Sequence, residues 1–156
     1  MANVKPIPDS AVTPYLFIKG AASAIDYCKK VFGAQEVMRL DAPGGLIGHA
    51  ELRIGDSKIM LSDENPQWGT KGPHTLGGSA SSLHVYVEEV DFVTQKAVGA
   101  GAQLIRPVKD PFYGDRSGSL IDPFGHLWSV ATHIKDVSPE ETEKRMAAAM
   151  SQAASG

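Results

Sequence analysis

His49 and Glu51 stand two residues apart, with Ala50 between them and Leu52 after. Strand alternation puts the imidazole and the carboxylate on one face and the two apolar residues on the other. On a ligand-facing surface, His49 and Glu51 can bind a ligand, a proton or an ion; on an outer surface they are only solvated. His84 is a lone strand histidine, open to a structural or a ligand-contacting role. Arg116 lies in a Gly/Tyr loop just before an expected strand. A guanidinium there can hold a carboxylate or phosphonate through two parallel hydrogen bonds, or pair with Asp115 or Asp122 to fix the loop. Tyr113, three residues earlier, can shut a pocket mouth. Trp68 sits in a Gly-rich stretch, where an aromatic side chain can cover a ligand, anchor the loop or make a dimer contact. Asp63 and Glu64 are consecutive carboxylates that a strand would point to opposite faces, so they do not form a shared-proton dyad. The neighbouring Asn65-Pro66 points to turn chemistry.

Other chemistries leave no motif. There is no Gly-x-Gly-x-x-Gly, no phosphate-binding loop, no Gly-x-Ser-x-Gly and no His-Glu-x-x-His. A net charge of −3, with no basic run longer than Lys29-Lys30, argues against a nucleic-acid footprint and a polybasic membrane patch. The first ten residues hold one lysine and no long apolar stretch, so neither a signal peptide nor a spanning helix is expected. Cys28 is the single cysteine, which rules out an internal disulfide and a cysteine metal knuckle. It falls on an apolar helix face and reads as inert core. The expected compartment is the cytoplasm.

The elements that must position these residues are short. Hydrophobic residues make up 42% and charged residues 21% of 156, ordinary for a globular chain. The 16 glycines and 10 prolines cluster between apolar runs. Residues 13–20 read as a strand. Residues 21–32 then change period, with Ala21, Ile25, Cys28 and Phe32 on one helical face, and Gly33 is a left-handed cap. Strands are expected at 35–40, 48–54 and 57–62, with a hairpin turn at Gly55-Asp56. The same order repeats: a strand at 83–87, a helix at 90–98 carrying Val90, Val93 and Ala97 on one face, and strands at 103–107, 117–121 and 126–132. Gly33-Ala34-Gln35 and Gly101-Ala102-Gln103 occupy the same helix-to-strand junction in each half, which indicates duplication. The expected organisation is therefore a βαβββ module over 11–64, a linker loop over 65–81, a second module over 82–134 and a C-terminal helix over 137–150. Ser138-Pro139-Glu140-Glu141 starts that helix as a capping box.

Tyr113-Gly114-Asp115-Arg116-Ser117-Gly118 leads into Asp122-Pro123-Phe124-Gly125-His126-Leu127-Trp128, and the tail holds Asp136-Val137-Ser138-Pro139-Glu140-Glu141. These strings resemble the PhnB-like subgroup of the vicinal-oxygen-chelate superfamily, the glyoxalase/bleomycin-resistance/dioxygenase proteins, over about residues 11–145. The resemblance implies an α+β fold in which the two modules form a half-barrel cup around a small-molecule pocket. The modules pair within one chain or are exchanged in a dimer, and a homodimer is expected. It also implies a divalent metal in many relatives, held from the first and last strands of each module. Those positions fall here on Thr13, Met60, Ser82 and Ser129. None is a good ligand for such a metal, which prefers imidazole or carboxylate.

Two residues beyond Thr13 and Ser82 stand Tyr15 and His84, expected to face each other across the cup as a pseudo-symmetric polar pair. Ser129, with Leu127 and Ala131, would line the cup, while Trp128 and Val130 face the helix. The expected ligand contacts are thus Tyr15, His49, Glu51, His84, Tyr113, Arg116, Ser129 and Trp68, with no metal ligand, no cofactor and no assigned catalytic residue. The leading expectation is a metal-independent pocket for a small organic ligand. A metal-dependent lyase or isomerase using His49, Glu51 and His84, and a non-catalytic interaction module, are the alternatives. A methyltransferase would need a doubly wound nucleotide site, which two βαβββ modules do not supply.

Overall fold

The computed structural model describes residues 10–111 and 114–155. The chain forms two compact units that divide between Gly77 and Gly78, and each is built the same way. In the first, β1 (Tyr15–Ile18) runs into Gly20, whose φ of 97° suits a residue without a side chain, and the chain turns directly into α1 (Ala21–Phe32). Gly33 at φ 65° closes the helix. An antiparallel meander follows: β2 (Gln35–Ala42), β3 (Leu46–Ile54) and β4 (Ser57–Asp63). β4 returns alongside β1 in parallel, giving the order β1-β4-β3-β2.

The segment expected as a plain linker is partly ordered. Asn65 caps a 3₁₀ turn at Pro66–Trp68, and a one-turn helix, α2, occupies Pro73–Leu76. The second unit then repeats the order with β5 (Ser82–Tyr86), α3 (Val90–Gly99), β6 (Gln103–Lys109), β7 (Asp115–Ile121) and β8 (Leu127–His133). Its sheet is β5-β8-β7-β6, again with the first and last strands parallel. The fold is α+β, with two open four-stranded sheets rather than a closed barrel. α4 (Pro139–Ala154) ends it and runs one turn beyond the expected span. Ser138 Oγ accepts from Glu141 N at 3.1 Å, as the capping sequence requires. No described helix is long and apolar enough to cross a membrane.

One face of each sheet is apolar and carries the helix. In the first unit, Ala21, Ala24, Ile25, Cys28 and Val31 of α1 and Ala50, Leu52, Ile59 and Leu61 of the sheet are buried. Val31, not Phe32, fills the last core position, because the stripe follows the 3.6-residue period and Phe32 falls to its edge. In the second, Val90, Val93 and Ala97 of α3 share burial with Leu120, Trp128 and Val130.

The last strand of each module also caps its helix. Neither α1 nor α3 has a side-chain cap from its own N-cap residue. Asp63 of β4 supplies one instead, its Oδ1 accepting from Gly20 N and Ala21 N at 3.0 Å each, while its Oδ2 accepts from Ile47 N at 2.7 Å. Thr132 of β8 does the same for α3, accepting from Val90 N at 2.9 Å. Glu64 likewise accepts from Gly72 N and the Thr75 hydroxyl at the start of α2. The two carboxylates read from sequence as turn chemistry are thus helix-start acceptors, a role set by packing between distant segments.

The Asp-Pro-Phe-Gly-His-x-Trp string resolves into a single knot. Asp122 is buried and accepts from Phe124 N, His126 N and Trp128 Nε1, at 2.9, 3.0 and 2.9 Å. A carboxylate accepting three N–H groups holds both the turn and the core indole. In a urea-unfolding double-mutant cycle, Asp122→Ala and Trp128→Phe should show a coupling of about 1–3 kcal/mol. Additivity of the two would remove this bond from the account of the turn.

Candidate functional site

The helix-free face of the first sheet is polar because strand parity puts Tyr15, Met60, Glu51 and Met38 in one row across it. Tyr15 Oη lies 2.8 Å from His49 Nδ1, and the two rings lie 5.5 Å apart. His49 Nε2 lies 3.1 Å from Glu51 Oε2, and the other Glu51 oxygen accepts from Lys58 Nζ at 2.8 Å. A phenol, an imidazole, a carboxylate and an ammonium are therefore joined in sequence. The Lys58 ammonium, and after it His49, hold the Glu51 carboxyl below its ordinary range. With Nε2–H donated to Glu51, Nδ1 accepts from the Tyr15 hydroxyl. This arrangement can pass a proton between a ligand at Tyr15 and the buried end of the chain. Lys58 was not recognisable from sequence, because only the β3–β4 register brings it beside Glu51.

The second sheet has the corresponding row His84, Ser129, Ser119, Arg106. Tyr15 and Met60 stand to α1 as His84 and Ser129 stand to α3. His84 Nδ1 lies 2.9 Å from Ser129 Oγ, and its ring meets Tyr86 edge-on at 4.8 Å. Tyr86 donates its hydroxyl to the buried Asp115 carboxylate at 2.9 Å, and His133 Nδ1 reaches the other oxygen at 2.7 Å. His133 Nε2 reaches Asp136 at 2.8 Å. Two carboxylates on one ring favour a proton on each nitrogen, the imidazolium form. Asp115, and then Asp136, raise its affinity for protons above that of an ordinary histidine. Burial opposes ionisation of Asp115, but the hydrogen bonds from His133 and Tyr86 outweigh it and hold the carboxyl low.

Tyr15, His49 and Glu51 are thus brought together in one unit, and His84 and Ser129 in the other. Ala131, expected beside Ser129 on the lining face, is fully buried. Arg116 is placed differently from its expected setting. It lies within β7, not in a loop before a strand, and on the helix-bearing face. Its partners are not Asp115 or Asp122 but Asp91 of α3, gripped by Nε and Nη2 at 2.8 and 2.9 Å, and Asp110 at 3.2 Å. Parity explains the correction: Asp115 and Ser117 point to the polar face, so Arg116 between them points to α3. There it borders an open hollow of about 460 Å³ with Glu89, Phe92, Thr132 and Ile134. Trp68 is 80% exposed on the 3₁₀ turn. Tyr113 lies outside the described residues.

A family model for the glyoxalase/bleomycin resistance protein/dioxygenase superfamily matches residues 10–130. With the paired βαβββ units, this places the chain in that superfamily. An uncharacterized protein of Mycobacterium tuberculosis is 40% identical over 147 residues, covering 92% of this chain and 84% of the relative. The crystal structure of TioX from Micromonospora sp. ML1 is similar at a TM-score of 0.61 and 26% identity, over 83% of this chain and all of that one. A PhnB protein from Bacillus cereus, described as a putative 3-demethylubiquinone-9 3-methyltransferase, shares the fold. Its TM-score is 0.60 at 23% identity, covering 79% of this chain and 99% of its own.

The divalent metal implied by the family resemblance does not suit the residues present. Met60 offers a thioether between Tyr15 and Glu51, and Ser129 offers a hydroxyl already engaged with His84. Thr13 and Ser82 add only hydroxyls, where hard and borderline cations favour carboxylate and imidazole. Among the described residues, no three His, Cys, Asp or Glu side chains are grouped to hold a metal ion.

The His133 pair has a pH signature. A group whose affinity for protons rises on folding contributes stability that is complete below its unfolded pKa and is lost as pH rises through the folded one. In an NMR titration, the His133 ring should have a midpoint above the ordinary 6.5, moving down in Asp136→Asn. His133→Gln should flatten the fall in unfolding free energy above that pH. A wild-type midpoint at or below the ordinary value would contradict the double ion pair.

Proposed function

We propose that this protein takes a small organic molecule against the helix-free face of a module and works on it, or sequesters it, without the divalent metal used by many relatives. The observation that carries the reading is the ordered chain Tyr15–His49–Glu51, with Tyr15 Oη 2.8 Å from His49 Nδ1 and His49 Nε2 3.1 Å from Glu51. It lies beside Thr13 and Met60, two of the positions where the resemblance would put metal ligands. Tyr15 is 39% exposed, and its hydroxyl is backed by the His49 imidazole. Its oxygen would take a proton from the ligand as its own proton passes to His49 Nδ1, with Glu51 stabilising the imidazolium that forms, and the reverse transfer would return the proton. In the second module, His84 and Ser129 would offer polar contacts of their own to a small ligand. The same reading has the protein act as a homodimer in the cytoplasm. That is in keeping with the module exchange implied by the resemblance and with a single, buried cysteine.

Elemental analysis of protein purified without a histidine tag should find no stoichiometric Ni, Zn, Mn or Fe. Its melting temperature should be unmoved by EDTA or by added Ni²⁺, Zn²⁺ or Mn²⁺. About one metal per chain, with a melting point that drops in EDTA, would return the protein to the metal-dependent lyases and isomerases. For any compound found to turn over, Tyr15→Phe should lower kcat by about 10²–10⁴-fold and leave binding nearly intact. Binding without turnover by the wild type would leave sequestration and remove the acid–base role.

A further inference from the structure

The two modules differ most where their edge strands meet the polar rows. Met38 of β2 and Arg106 of β6 occupy equivalent register positions, Met38 opposite Glu51 and Arg106 opposite Ser119. The guanidinium of Arg106 is half-buried on the helix-free face. Its contacts are all to neutral acceptors: Nε to Ser119 Oγ at 3.2 Å, Nη2 to Ser117 Oγ at 3.3 Å and Nη1 to Ser117 O at 3.5 Å. An Arg side chain has five N–H donors, so donor capacity remains unused. Among the described residues no carboxylate pairs with it. The one buried carboxylate on that face, Asp115, is engaged by Tyr86 and His133. Arg116, by contrast, is paired with two carboxylates, Asp91 and Asp110.

The backbone is shaped for this side chain. Register shifts flank Arg106 on both sides of β6, and such irregularities re-aim a side chain out of the regular pleat. Gly118 lets β6 approach β7 closely, since a Cβ there would come within 3.1 Å of Arg106 O and 3.0 Å of Val108 Cγ2. Pro107 is tolerated because β6 is an edge strand. A half-buried cation without a counter-ion is costly, and an anion delivered by a ligand would offset that cost. In the same row, His84 binds Ser129 through Nδ1 and leaves Nε2 for a second ligand contact.

We infer that Arg106, with Ser117 and Ser119 behind it and His84 and Ser129 along the row, is a binding site for the anionic group of a small organic acid, a carboxylate or a phosphonate. This deepens the ligand-binding reading above by naming a ligand class, and it uses the second module alone. The probes are benzoate and phenylphosphonate, with neutral benzamide as the control, followed by NMR of the Arg106 Nε–H and the amides of Ser117, Ser119 and Ser129.

Saturable shifts with both anions, none with benzamide, and weakening at high salt are expected. Arg106→Gln should reduce affinity at least about tenfold, the scale of one charge-assisted contact, whereas Arg116→Gln should leave it unchanged. No response of the wild-type Arg106 resonance to either anion overturns the assignment without needing a folded variant. So does a loss of affinity confined to Arg116→Gln. The two readings fail separately. Binding of benzamide but neither anion would end the anion site and keep the organic-ligand reading. Stoichiometric metal lost to EDTA, with anion binding intact, would end the metal-free reading and leave Arg106 assigned.

Discussion

Everything in each half of this molecule depends on the parallel pairing of its first strand with its last. A parallel pair cannot be joined by a tight turn, so the chain must cross over between β1 and β4, and between β5 and β8. The crossover helix covers one sheet face and buries the apolar parity of the inner strands, while the edge strands β2 and β6 stay largely exposed. The other parity has no covering helix, and the polar residues gather there. The pairing is locked by side chains from the last strand, Asp63 and Thr132, which satisfy the free N–H groups at the starts of α1 and α3. The strand that closes the sheet thus also sets the helix that covers it.

On this shared frame the two modules have diverged in charge. The first row centres on an acid: Glu51 is anchored by Lys58, with His49 and Tyr15 extending outward from it. The second replaces that glutamate by Ser119 and the edge methionine by Arg106. An acid-centred surface and a cation-bearing surface follow from a few substitutions at equivalent register positions. Met60 and Ser129, two of the positions where the resemblance implies metal ligands, lie in these rows and carry a thioether and a hydroxyl.

The chain's own letters went far toward the fold. Residues 21–32 carry a helical stripe ended by glycine and form α1 over the same span. The repeated Gly-Ala-Gln junction marks the duplication, and the Asp-Pro-Phe-Gly-His-x-Trp string marks the turn before β8. These signals are local: period, cap and turn chemistry act within a few residues of themselves. Parity also placed His49 with Glu51 correctly, since alternation needs no knowledge of the partner strand.

What local pattern could not decide was partnership across strands. Arg116 stood out because it lies in a memorable string, yet its neighbours turn it to α3 and two aspartates absorb it. Arg106 sits in an unremarkable Arg-Pro step, and only register and flanking irregularities set it on the polar face without a counter-ion. Lys58 is invisible until β3 and β4 pair, and Asp63 reads as a turn residue until β4 lies beside the start of α1. The sequence by itself determined the element order, the duplication and which residues share a strand face, because those follow from short-range periodicity. The tertiary structure alone decided which charges are paired with an opposite charge, because ion pairing depends on distances between segments far apart in the chain.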